Sequence, residues 1–198
     1  MSRLIETIKL LEGEFLNVSF HERRMRASLR KLFGVNRRID LEALLKKSYF
    51  PTTGLHRCRL VYDAQAYEVA YWPYVRRPIE SLKVVMDDSI DYSLKFEDRN
   101  ALNELLEQRD TCDDILIVKE GRVTDCSFAN LAFRRGSAWF TPDRPLLQGT
   151  MRQKLIEQGK ITPCSIHVRD ISTFDTFKLI NAMLEFESPE IDVSRIVV

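Results

Sequence analysis

The stretch GRVTDCSFANLAF, residues 121–133, decides how the second half of the chain folds. Its β-branched and apolar residues surround a short polar interruption, so it reads as a strand, a turn and a returning strand. The neighbouring runs extend the pattern. DILIVKEGRVTDC and NLAFRRGSAWFTP each contain two strand-like pieces, with Gly121 and Gly136 marking the turns. Asp125 is the residue out of place. A carboxylate inside a core-like sheet is costly to bury unless a cation or a strong hydrogen-bond donor meets it. It belongs either at an exposed strand end or against a specific partner.

Upstream, SLKVVMD reads as a strand and SLKFEDRNALNELLEQRD turns helical, with Ala101, Leu102, Leu105 and Leu106 as its apolar stripe. Downstream, PLLQGTMRQKLIEQGK is a loop feeding a helix that begins near Gly149, and the last third holds SIHVRDIS, a short helical piece and FKLINAM. The first half opens on a hairpin, LIETIKLLEGEFLNV, in which Gly13 can take the positive φ of a tight turn. FHERRMRASLRKLFG places Met25, Leu29, Leu32 and Phe33 on one helical stripe that Gly34 can end, with His21, Arg24 and Ser28 beside it. DLEALLKKSYF predicts a second helix capped by Asp40, with Leu41, Leu44 and Leu45 inward. LHRCRLVYDAQAYEVAYWPY predicts two strands around a turn at Asp63–Gln65, and YVRRPIES a linker near residues 75–81. Strands outnumber helices without βαβ alternation, so the expected class is α+β, with a small domain over residues 1–76 and a larger strand-rich one over 77–198.

With 198 residues, 44% hydrophobic and 30% charged, and a net charge of +1, the chain has the composition of a globular protein with no global signature of a polyanionic partner. Six arginines and one lysine between His21 and Arg38 form a local basic run, which on an amphipathic helix reads as a solvated face; no nucleic-acid motif accompanies it. Four scattered cysteines and three histidines signal neither a zinc site nor a disulfide framework. No run has the roughly 18 apolar residues of a membrane span. The expected protein is cytoplasmic, with no membrane and no nucleic-acid partner.

Four features can carry chemistry. Lys95 precedes a helix, and a lysine amine forms a Schiff base with an aldehyde when its surroundings lower its pKa. Asp125 can meet a protonated ring nitrogen. QGTMRQKL leaves the N–H groups and the positive dipole end of a helix available to an anion. Arg24 offers a planar fork to phosphate oxygens. Each also has an ordinary reading, surface charge for the two cations and a plain helix start for the glycine. Together they are the groups that pyridoxal phosphate requires.

Four segments, in this order, resemble the class IV aminotransferases, the fold-type IV pyridoxal-phosphate enzymes that include branched-chain and D-amino acid aminotransferases and 4-amino-4-deoxychorismate lyase. IETIKLLEGEFLNVSFHERRMRAS is similar to the family's FET…H-x-x-R segment, LKFEDRNAL to its K-x-x-x-R segment, GRVTDCSFANLAF to V-[TS]-E-x-x-x-x-N-[LI]-F, and QGTMRQ to G-I-[TM]-R. The resemblance implies a two-domain α+β fold of the D-amino acid aminotransferase type and a homodimer. It implies that Lys95 makes the covalent link to the cofactor and moves the substrate proton, that Arg24 and the backbone N–H groups of Thr150 and Met151 bind the phosphate, and that Asp125, in the place of the usual Glu, faces the pyridine nitrogen. INAM, residues 180–183, is similar to the NAL loop of the lyases, which brings the backbone at Asn181 and Ala182 to the phosphate or the substrate carboxylate.

Two departures carry expectations of their own. Asp is one methylene shorter than Glu, so the same contact needs a closer ring or a strand shifted inward. The sequence starts almost directly at LIET, where family members have a further strand and a glycine-bearing turn, which implies a smaller first-domain sheet and a trimmed pocket. TMRQ, INAM and Arg99 lean toward a lyase that converts aminodeoxychorismate to 4-aminobenzoate and pyruvate. The alternatives are an aminotransferase acting on branched-chain or D-amino acids and a catalytically weak cofactor-binding protein. The substrate is in each case a small amino-acid-like molecule.

Overall fold

The computed structural model describes residues 2–47 and 49–198 and divides them into two compact units. The first comprises the chain up to Arg76 and the segment Leu94–Asp98; the second comprises Arg77–Ser93 and Arg99–Val198. The short segment that carries Lys95 therefore packs with the first unit and not with the rest of 77–198. The reason is backbone pairing: Ile5 N–H donates to the Lys95 carbonyl at 2.9 Å, and Leu4 bridges Phe96.

In the first unit, β1 (Leu4–Leu11) pairs with β2 (Glu14–Phe15) across a turn in which Glu12 and Gly13 take φ of 48° and 80°. Helix α1 (Val18–Phe33) follows, then α2 (Leu41–Leu45), β3 (Leu55–Tyr62) and β4 (Tyr67–Pro73). The antiparallel sheet runs β2-β1-β3-β4. Met25 and Leu29 of α1 are buried in its core with Leu4, Ile8, Cys58 and Leu60, while Leu32 and Phe33 pack at its margin. Each fully buried aliphatic contributes about 1.5–3 kcal/mol. Gly34 ends α1 at φ 69°, its N–H returning to Arg30. The Asp40 carboxylate caps α2 by accepting from Ala43 N–H at 2.9 Å. That helix is only five residues long, with Leu44 half-buried; Ser48, in the run expected to extend it, lies outside the described residues. Asp63 closes the β3–β4 turn by accepting from Gln65 and Ala66.

In the second unit, β5 (Leu82–Met86), α3 (Asn100–Leu106), β6 (Asp114–Lys119), β7 (Arg122–Cys126), β8 (Asn130–Arg135), β9 (Ala138–Pro142), α4 (Thr150–Glu157), β10 (Thr162–Cys164), β11 (Thr176–Ile180), β12 (Ile191–Asp192) and β13 (Ile196–Val197) form a nine-stranded mixed sheet with two helices. Its order is β10-β9-β8-β7-β6-β5-β13, with β11 joining β8 and β12. Leu102 and Leu105 are the buried side of α3, whereas Ala101 is exposed. SIHVRDIS is not one regular element: β10 ends at Cys164 and Val168–Thr173 is a 3₁₀ helix.

The alternation read in GRVTDC breaks inside β7. Leu116 of β6 faces Cys126 and Val118 faces Val123, so one residue of β6, Ile117, lies opposite two of β7. This bulge falls at Thr124 and Asp125. Val123 and Cys126, three residues apart, therefore both enter the main apolar cluster, and Asp125 does not. Among the described residues no helix is long and apolar enough to cross a membrane.

Candidate active site

Side chains at Leu4, Glu6, Ile8 and Leu10 of β1 are all 0% exposed, so Glu6 is a carboxylate in an otherwise aliphatic buried row. Two residues one turn apart on α1 make that burial tolerable. Arg24 grips both Glu6 oxygens, Nε to Oε1 at 2.9 Å and Nη2 to Oε2. His21, itself fully buried, sets Nδ1 2.6 Å from Glu6 Oε2; against an ionised carboxylate that nitrogen carries the proton. Burial would raise the Glu6 pKa, but Arg24 and His21 outweigh it and hold the group at about 2. His21 moves down from 6.5, pushed by burial and by the charges of Arg24 and Lys95 against the pull of Glu6. Lys95 is half-buried, its backbone tied to Ile5, the neighbour of Glu6. Arg24, expected as a phosphate clamp, thus stands with its guanidinium plane fixed by a buried carboxylate.

In the second unit, Asp125 is 5% exposed, which removes the exposed-turn reading. Asn130 lies opposite it in the β7–β8 register and donates Nδ2–H to Oδ1 at 2.7 Å. Leu147 N–H donates to Oδ2 at 2.9 Å. Among the described residues no cation forms an ion pair with Asp125. Burial accordingly raises its pKa to about 6, against the lowering effect of the Leu147 and Asn130 hydrogen bonds. A buried carboxylate in no ion pair, helped only at longer range by the charge of Arg152, is what a protonated ring nitrogen would satisfy. This is the observation that fits pyridoxal phosphate to the site.

Helix α4 begins at Gly149, whose φ of −68° any residue could adopt. The glycine is there for space: a Cβ would stand 1.8 Å from Asn130 Oδ1. Thr150 and Met151 form the first turn, whose backbone N–H groups lie at the positive end of the helix dipole. Their buried side chains fix that end in place. Arg152 braces the same loop, donating to Pro142 O at 2.8 Å and to Gln148 Oε1 at 3.0 Å. Asn181 acts as a loop cap: Oδ1 accepts from Met183 N–H and Leu184 N–H, each at 2.8 Å, and Nδ2 donates to Phe128 O at 3.3 Å. Any contact with a ligand at this loop falls to its backbone.

The structure gathers Lys95 and Arg24 in the first unit and Asp125, Thr150, Met151 and Asn181 in the second. Sequence reading passed over Glu6, His21, Asn130 and Gly149 as site groups. Glu6 had a legible signal, a carboxylate at an even, inward position of a strand whose other inward residues are Leu and Ile. Asn130 and Gly149 had none beyond their place in the motifs.

The class IV aminotransferase family model matches residues 98–187. A protein of Haemophilus influenzae, of uncharacterised function, is 42% identical over 186 residues, spanning 92% of this chain and 98% of its own. A crystal structure of a provisionally named 4-amino-4-deoxychorismate lyase from Haemophilus somnus is 41% identical, with a TM-score of 0.87 over 92% of this chain and 97% of that one. At 19% identity, a pyridoxal-phosphate-bound hypothetical aminotransferase from Mycobacterium tuberculosis shares the fold, with a TM-score of 0.76 over 96% of this chain and 80% of that one. The chain belongs to the class IV aminotransferase family, a family of pyridoxal-phosphate-dependent enzymes.

Proposed function

We propose that the protein binds pyridoxal phosphate and acts, as a homodimer, as a lyase of the 4-amino-4-deoxychorismate type. The observation that carries the cofactor assignment is Asp125, a buried carboxylate met by neutral donors of Asn130 and Leu147 and, among the described residues, in no ion pair. Family membership supports assigning Lys95 and Arg24 of the first unit to the same cofactor. The lyase reading draws support from the H. somnus relative and from a second, partial one: a Schizosaccharomyces pombe protein provisionally named aminodeoxychorismate lyase is 39% identical over 64 residues. TMRQ and INAM point the same way.

When bound, pyridoxal phosphate supplies an electron sink for charge developing at the substrate α-carbon. The chain's own groups do the rest. The Lys95 amine would hold the cofactor covalently at rest, then take the proton from the substrate's amine-bearing carbon and pass it to the departing enolpyruvate, because that carbon of 4-aminobenzoate keeps no hydrogen. Asp125 holds a proton on the ring nitrogen, so that the electron demand persists through the reaction. Arg24, its plane set by Glu6, and the N–H groups of Thr150 and Met151 hold the phosphate. The backbone at Asn181 and Ala182 meets the phosphate or the substrate carboxylate.

The test is an aminodeoxychorismate-to-aminobenzoate assay beside an amino-acid/keto-acid exchange panel. Release of 4-aminobenzoate and pyruvate without a keto-acid acceptor is the expected result. Exchange that depends on an acceptor selects the aminotransferase, and protein that gains no visible absorption from added cofactor overturns the cofactor assignment.

A further inference from the structure

We propose that Asn130 is a positioning residue that sets the separation between the Asp125 carboxylate and the N-terminal end of α4, with Gly149 as the notch that admits its side chain. The role rests on the cofactor assignment above. Asn130 Nδ2 bridges two acceptors, Asp125 Oδ1 at 2.7 Å and Leu147 O at 2.9 Å. Leu147 N–H returns to Asp125 Oδ2 at 2.9 Å, which closes a ring of three hydrogen bonds two residues before Gly149. The Asp125 side chain and the loop that enters α4 are therefore one braced unit. The other side of Asn130 is shaped to the helix start, where a Cβ on Gly149 would overlap Oδ1.

The turn between Asp125 and Asn130 is pinned independently. Asp114, 2% exposed, accepts from Ser127 N–H at 3.0 Å and Ser127 Oγ–H at 2.9 Å; Arg99 donates to Ser127 O at 2.8 Å. Asn181 reaches Phe128 O, and Cys126 Sγ accepts from Ala129 N–H. Such bracing matters because a ligand carrying a ring nitrogen and a phosphate at fixed separation gains from both anchors only when the protein holds them at that separation before binding.

The test is a double-mutant cycle of Gly149→Ala and Asn130→Ala, read by titration of pyridoxal phosphate against the visible absorption of the loaded protein. Each single variant is expected to bind about tenfold more weakly or worse, because one loses and the other displaces a hydrogen bond to a charged group. The double variant is expected to bind no more weakly than Asn130→Ala, since the added methyl then meets no amide.

A second readout is the pH at which binding fails on the acid side. The ionisable groups acting on Asp125 besides the ligand are Arg152 of α4 and the neighbouring Cys126 thiol. Loss of the Asn130 donor is expected to move this acid limit upward in both single variants, which a general loss of folding would not do. Should one single variant fail to fold, as judged by its melting without ligand, the acid limit of the other decides. Multiplicative losses in the double variant, or an unmoved acid limit, overturn the positioning role alone. Wild-type protein that gains no absorption, or keeps it in Lys95→Ala, overturns the cofactor assignment and this role with it.

Discussion

Glu6 and Asp125 are both buried carboxylates, yet the fold treats them in opposite ways. Glu6 has two charged or charge-bearing partners and is held at about 2, below its ordinary 4.5. Its contribution to stability is complete above about pH 4.5 and is lost as the pH falls toward 2, amounting to roughly 3 kcal/mol. Asp125 is raised from 3.8 to about 6, so the fold favours its uncharged form. That contribution is present below about pH 4 and is lost as the pH rises through 6. From these two groups the unliganded protein should melt highest at about pH 4 to 4.5, falling on the acid side as Glu6 is protonated and on the other side as the pH rises to about 6. Asp125→Asn should flatten the upper limb whatever its fixed cost, and Glu6→Gln the lower; thermal melts across pH check both. Removing Glu6 also leaves Arg24 without its buried partner, and Glu6→Ala is expected to cost about 3–5 kcal/mol in denaturant unfolding. Lys95→Ala should abolish the cofactor's visible band and lower kcat by about 10²–10⁴-fold or more, measured in the aminobenzoate assay.

At the scale of elements, the β7 bulge and the turn that follows it are what deliver Asp125. A regular strand would carry Val123 and Asp125 on one face and force the carboxylate into the apolar cluster. One extra residue opposite Ile117 resets the parity, and the Thr124 hydroxyl secures it by donating to Ile117 O at 2.8 Å. Asp114 holds the turn beyond. Asp114→Ala would leave the Ser127 and Ile115 N–H groups without their buried acceptor, and a loss of about 1–3 kcal/mol is expected in chemical denaturation. The bulge was not legible in advance, because VTDC alternates as well with it as without it. By contrast, the hairpin at Gly13, the end of α1 at Gly34 and the Asp40 cap were legible, since each is decided by residues within one turn of itself.

Charge is distributed unevenly over the whole molecule. The first unit holds fifteen Lys and Arg against ten Asp and Glu, and the second fifteen against nineteen, so the near-neutral total conceals a positive unit and a negative one. Arg26, Arg30, Arg37 and Arg38 are exposed on the positive one. A positive field around Lys95 and Arg24 speeds encounter with an anionic ligand, so the association rate of pyridoxal phosphate should fall as salt is raised, while that of pyridoxal, which lacks the phosphate, should fall less. Stopped-flow absorbance measures both. Light scattering is expected to give twice the 23.2 kDa chain mass, in keeping with the proposed homodimer.

The sequence by itself determined the α+β class, most of the turns and helix ends, and the four motif segments, because these depend on residue periodicity, on backbone freedom at single glycines and on short-range order along the chain. Only the tertiary structure decided that the Lys95 segment packs with the first unit, that Glu6 is buried between His21 and Arg24, and that Asp125 is held by Asn130 and Leu147 and, among the described residues, forms no ion pair. Those facts depend on which polar groups meet across β1 and α1, or across β7, β8 and the loop before α4. Residues 15 to 22 positions apart become hydrogen-bond partners only when packing removes the water that would otherwise satisfy them.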